Sequence, residues 1–234
     1  MSLVKIERCP TGIPGFDELC EGGFVRNSVN TLIGGPGTGK STFLMQFLWN
    51  GVNMFDENGL YISFEPDIES IFGDALSYGW DFSNFDAKGK CKFIKFSPKT
   101  SVSEVKQQLM KIVSKNDVKR VCFDPISIFC MYFSNEVLIR ENVFELVSLL
   151  KRLKVTVVIS DEVVELANEN ILGDGYAKTS SLGFLSDGLI NLYSSGLGGE
   201  TDRAIRIAKM RRTNHTRGPV PFSINSKGIV IKKK

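Results

Sequence analysis

The stretch GGPGTGKST (34–42) restricts what this chain can fold into more than any other feature. It satisfies G-x-x-x-x-G-K-[ST] through Gly34, Gly39, Lys40 and Ser41. A bare match of this kind arises by chance in about one of 100 chains of this length. Here the short β-rich run SVNTLIGG (28–35) leads into it. STFLMQFLWNGV (41–52) leads out, with Phe43, Leu44, Phe47 and Leu48 at helical spacing. Strand, glycine loop and helix in that order form a phosphate cradle. Phosphates need dense donors. Gly34, Gly35, Gly37 and Gly39 let backbone N–H groups turn inward around Pro36 and Thr38, and the helix N-terminus adds its positive dipole end at Lys40, Ser41 and Thr42. Lys40 is the expected ligand of the β- and γ-phosphates, and the Ser41 hydroxyl the expected holder of Mg²⁺.

The hydrophobic pattern continues as alternating strands and helices. LYISFE (60–65) reads as a buried strand, with a helix through Ile68, Ile71, Phe72 and Leu76 after it. CKFIKF (91–96) reads as a strand. Residues 101–116 read as a helix with Ser101 as N-cap and Glu104 three positions on. RVCFD (120–124) and VTVVIS (155–160) are apolar strands on either side of a long helix at 135–153. Residues 161–183 are polar and read as a mobile loop. Strands then follow at 188–193, 203–210, 221–225 and 228–232. This order predicts one α/β domain over residues 1–234, with a mostly parallel sheet flanked by helices and closing antiparallel strands.

A phosphate loop alone binds; hydrolysis also needs a placed metal and a placed water. Asp124 ends an apolar strand, at the carboxyl edge where a second acid of the metal shell belongs, acting through water. A helix-capping Asp is the competing reading. Glu65 ends the strand after the phosphate-loop helix and is the candidate base for an attacking water. A surface Glu before Pro66 is the plainer reading. KMRRTNHTRGP (209–219) holds Lys209, Arg211, Arg212, Arg217 and His215, the only histidine of the chain. Strand alternation puts Lys209 and Arg211 on one face, with Met210 and Arg212 on the other.

The net charge of +3, from 29 basic and 26 acidic residues, gives no global field for coating nucleic acid. Five cysteines without a CxxC pair read as reduced, mostly buried thiols. One histidine and no ligand spacing argue against zinc. The sequence shows neither a signal-peptide apolar region nor a run of membrane-spanning length, so a soluble, cytoplasmic protein is expected.

Taken together, these residues resemble the KaiC-like branch of the RecA superfamily. The resemblance runs through residues 11–51, including TGIPGFDEL ahead of the phosphate loop. It continues in YISFEPD (61–67), SYGWDF (77–82) and AKMRRTNHTRGPVPFSINSKGIVI (208–231). It implies a RecA-like P-loop NTPase core that binds ATP between subunits of a head-to-tail homo-oligomeric ring, with a hexamer as one form. It puts Glu65 at the catalytic glutamate, Lys40 and Ser41 at the phosphate-loop pair, and Asp124 at the Walker B acid. Lys209 and Arg211 fall on a Lys-x-Arg pair that reaches a neighbour's ATP, and His215 falls near that nucleotide.

Three departures matter. Pro66 stands where the family often has a second glutamate. The chain has room for one such domain, whereas the clock protein KaiC has two in tandem. Gly183 and Phe184 stand where the second clock domain carries its phosphorylated Ser-Thr pair, so autokinase activity is not expected. Two alternatives to an ATPase are a single-stranded-DNA-binding recombination accessory and a nucleotide-dependent regulatory module with little hydrolysis. DNA tracking calls for basic residues among aromatics. Residues 125–134 have Phe129, Tyr132 and Phe133 but no Lys or Arg, and 161–183 have Lys178 against five acids. No protein partner is legible.

Overall fold

Helix α1 (Lys40–Phe55) starts on the last glycine of the phosphate loop and is buried along its Phe43, Leu44, Phe47 and Leu48 face. The computed structural model describes residues 6–133, 135–162, 181–196 and 202–232. Ahead of α1 lie β1 (Arg8–Cys9), a 3-10 turn (Asp17–Cys20), β2 (Phe24–Val25) and β3 (Val29–Gly34). After it come β4 (Asn58–Ser63), α2 (Ile68–Leu76), α3 (Phe82–Ala87), β5 (Cys91–Lys95), α4 (Val102–Lys115), β6 (Val118–Asp124), α5 (Ile126–Cys130), α6 (Glu136–Arg152), β7 (Thr156–Glu162), α7 (Ser181–Leu185), β8 (Gly188–Ser194), β9 (Arg203–Met210), β10 (Val220–Asn225) and β11 (Gly228–Ile231).

The nine strands β3–β11 form one sheet in the order β5-β4-β6-β7-β3-β8-β9-β10-β11. The first six in that order are parallel; β9, β10 and β11 are antiparallel additions. All six parallel strands therefore present their carboxyl ends along one edge, where α/β sheets bind ligands. One apolar cluster packs α1 against the sheet, and another packs α4 and α6 against the opposite face. Phe43 and Phe47 make edge-to-face contacts with Phe16 and Phe24, at centroid distances of 5.2 and 5.8 Å.

The TGIPGFD segment is a closed loop. Both carboxylate oxygens of Asp17 are used: Oδ1 accepts from the Thr11 N–H and hydroxyl, and Oδ2 from the Gly12 N–H. That closure delivers Phe16 to α1. Arg120, fully buried on β6, fixes the far end of the same helix. Its guanidinium donates to Glu57, to the Phe47 carbonyl and to the Pro10 carbonyl at 2.7–2.9 Å. It also lies 4.6 Å from the Phe47 ring centroid.

The structure corrects several expectations. Strand β4 stops at Ser63, so Glu65 lies beyond it; Ser63 Oγ donates to the Pro66 carbonyl and closes a turn. Strand β7 continues through Asp161 and Glu162, both expected in the loop, because the ladder to β3 extends to Gly34↔Glu162. Residues 181–185 are helical, and 163–180 lie outside the described residues, as do Lys233 and Lys234. Strand β9 ends at Met210. Arg211 and Arg212 form a turn with Arg212 at φ 56°, so alternation does not carry to Arg212. The N-cap of α4 is as expected: Ser101 Oγ accepts from the Glu104 N–H at 3.2 Å.

Candidate active site

The phosphate loop bends where only glycine is comfortable. Gly37 and Gly39 take φ of 72° and 98°. A Cβ on Gly39 would also meet Ile224 at 2.8 Å. Gly34 closes β3 in a buried position, and a Cβ there would meet Thr38 Oγ1 at 2.6 Å. Thr38 Oγ1 donates to the Gly35 carbonyl at 2.8 Å, which holds the loop from behind. The loop opens onto a cleft of about 870 Å³. Pro36, Gly37, Gly39, Lys40, Ser41 and Thr42 line it from the loop, with Glu65 and Asp124 from the neighbouring strand exits.

Lys40 is 8% exposed. Its Nζ donates to the Gly34 and Gly35 carbonyls at 2.9 Å each and lies 3.9 Å from Glu162 Oε1. Burial holds its ammonium below the ordinary lysine value, against the opposing pull of Glu162, Asp124 and Asp161.

Asp124 is 3% exposed and does not cap α5, whose N-cap is Pro125. Its carboxylate instead accepts from the Tyr61 hydroxyl on Oδ2 and from Ser160 Oγ on Oδ1. Burial, then the charge of Asp124, pushes the Tyr61 phenol well above its usual range, so it stays a donor. Glu65 is exposed at the mouth of the cleft, beside Asp124, because β4 and β6 leave the sheet together: Phe64 N–H donates to the Asp124 carbonyl at 3.1 Å.

Lys209 and Arg211 are brought together, but at the other edge of the sheet. Gly188, at the start of β8, pairs with Met210 and with Asn30 on β3. Lys209 Nζ donates to the Ser186 and Gly183 carbonyls at 2.7 and 3.2 Å. The Arg211 guanidinium is 3.9 Å from Asp187, which also pairs with Lys151. Burial, then neighbouring Arg211, holds the Lys209 ammonium below its ordinary value. His215 lies outside the cleft, with Nδ1 3.1 Å from the Thr216 carbonyl.

Six cleft residues were not among the expected site residues: Pro66, Tyr78, Pro125, Glu162, Arg203 and Ile224. Glu162 had a signal, since an apolar run ending in acids is the pattern that singled out Asp124. Arg203 starts the strand that ends near Lys209, and no local pattern distinguishes it from Arg206. Among the described residues, no helix is long and apolar enough to cross a membrane.

A parallel sheet with a glycine phosphate loop at its carboxyl edge, an acid at a neighbouring strand exit and closing antiparallel strands defines a RecA-like P-loop ATPase core. The chain belongs to the KaiC ATPase family: the family model described as "ATPase: KaiC" matches residues 9–234. It is 30% identical over 242 residues to the circadian clock oscillator protein KaiC of Thermostichus vulcanus, covering 98% of this chain and 45% of that protein. It is 29% identical over 240 residues to the KaiC of Parasynechococcus marenigrum, covering 97% and 45% respectively. The chain thus spans about half the length of these relatives. Among solved structures, a KaiC-like protein from the hyperthermophilic archaeon Pyrococcus horikoshii superposes with a TM-score of 0.85 at 30% identity. That match covers 98% of this chain and 100% of the other.

Proposed function

We propose that this chain hydrolyses Mg-ATP held between subunits of a head-to-tail homo-oligomer. The observation that carries this reading is the division of charge across one sheet. The phosphate loop opens at the carboxyl edge with Glu65, Asp124, Asp161 and Glu162. Lys151, Lys209 and Arg211 gather at the opposite edge. The ladder from Asn30 to Gly34 separates the two edges by about 13 Å of strand. A Lys-x-Arg pair so far from its own phosphate loop has no phosphate to serve within its chain. Stacked head to tail, the cationic edge of one subunit faces the acidic edge of the next, and rotation that closes gives a ring, a hexamer being one solution.

The roles follow from the chemistry of each group. Lys40 exchanges its two carbonyl partners for the β- and γ-phosphates, and the loop N–H groups take the remaining phosphate oxygens. Ser41 and Asp124 fit Mg²⁺, since they are hard oxygen donors and no cation pairs with the buried Asp124 among the described residues. Asp124 acts through water, because both its oxygens already accept hydroxyl protons. When bound, the metal offsets charge on the phosphates. Glu65 orients a water and takes its proton as the water oxygen bonds to the γ-phosphorus. The bond to the bridging oxygen breaks and ADP leaves. The neighbour's Lys209 and Arg211 stabilise the charge on the transferring group, with its His215 close by. Autokinase activity is not part of this reading, because Gly183 and Phe184 have no hydroxyl. Nor is DNA tracking, because the exposed Met131 and Tyr132 at the exit of α5 have no basic neighbour between 125 and 134.

Arg211→Ala is expected to lower ATP turnover about tenfold, with Lys209 remaining as a second cation, and to leave Mg-ATP affinity nearly unchanged. Turnover equal to wild type removes Arg211 from the site. Sedimentation in Mg-ATP is expected to give a multiple of the 26.0 kDa chain, and a monomer under turnover conditions contradicts shared sites.

A further inference from the structure

Tyr61 lies on β4 beneath the cleft and is fully buried, with its ring stacked on Phe93 at 5.4 Å. Its hydroxyl donates to Asp124 on β6, the buried acid of the expected metal shell. A phenol has one proton and two lone pairs. That proton is committed to a buried carboxylate, the stronger acceptor. The phenol therefore acts on Asp124 as a donor and holds the Oδ2 side of the carboxylate.

The same phenol works with Ser160, whose Oγ is 2.5 Å from Asp124 Oδ1, to pin the carboxylate plane. Each oxygen keeps a free acceptor site for a metal-bound water. We propose that Tyr61 is a positioning residue that sets the Asp124 carboxylate for Mg²⁺, and so fixes the metal affinity of the site. This rests on the Mg-ATP reading above.

The test is a Mg²⁺ titration of fluorescent mant-ADP binding, with a parallel measurement in EDTA. Tyr61→Phe keeps the ring and removes only the hydroxyl. The Mg²⁺ concentration for half-maximal tightening is expected to rise about tenfold, the scale on which partners behind metal ligands act, with metal-free affinity unchanged. Ser160→Ala frees the other oxygen of the same carboxylate and is expected to shift the midpoint in the same direction. It also keeps the inference testable should Tyr61→Phe fold poorly, because an unshifted midpoint in Ser160→Ala contradicts a pinned Asp124. Coincident midpoints for Tyr61→Phe and wild type overturn the role of Tyr61. So does an equal loss of metal-free affinity, which would make the hydroxyl a prop for the loop. A wild-type protein whose mant-ADP binding ignores Mg²⁺ overturns the Mg-ATP reading itself, whatever the variant does.

Discussion

Lys40→Ala is expected to abolish ATP binding at concentrations that saturate the wild type. Two effects add. In the proposed binding mode the ammonium makes charge-assisted hydrogen bonds to two phosphates, and their loss costs about 3–4 kcal/mol, or roughly 10²–10³-fold in affinity. Its removal also leaves Glu162, Asp124 and Asp161 facing the phosphates without their nearest counter-charge. That repulsion makes the loss larger than for a phosphate loop with fewer acids. Calorimetric titration with Mg-ATP reads the effect directly, and binding at wild-type affinity would mean the nucleotide sits elsewhere.

Glu65→Gln is expected to keep Mg-ATP affinity and lose turnover by about 10²–10⁴-fold, the range in which a positioned base contributes. The amide keeps the shape of the side chain and cannot accept the proton. Glu65 is exposed at the mouth of the cleft, so the substitution disturbs no buried contact and a drop in turnover reports chemistry rather than folding. Pro66 removes the adjacent glutamate, so no second carboxylate at that position masks the loss. Unchanged turnover would remove Glu65 as the base and move attention to Glu162, the other glutamate on the cleft.

The parts of this site that were legible in the sequence are those set by local rules. Lys40 and Ser41 follow from loop spacing, and Asp124 from a run of apolar residues that stops at an acid. The four closing strands follow from apolar runs separated by turn signals. What was not legible depends on pairing between distant strands. Glu162 belongs to the site because β7 is laid beside β3 and its ladder runs to Gly34, which no local pattern in 155–162 reveals. Tyr61 reads as one more apolar position of a buried strand. Only when β4, β6 and β7 lie side by side do Tyr61, Asp124 and Ser160 share the face toward α1. The basic stretch at 209–217 was the reverse case. Its residues were conspicuous, but alternation could not say which sheet edge they occupy. The antiparallel pairing of β8 and β9 turns Lys209 and Arg211 away from their own phosphate loop.

Interfacial catalysis is tested most directly by mixing two defective proteins. Glu65→Gln subunits keep Arg211, and Arg211→Ala subunits keep Glu65. Co-assembled in equal amounts, about a quarter of head-to-tail interfaces pair an intact Glu65 with an intact neighbouring Arg211. Turnover of the mixture is therefore expected to rise to about a quarter of the wild-type rate, above either variant alone. A mixture that turns over at the mean of the two separate variants would contradict action across an interface.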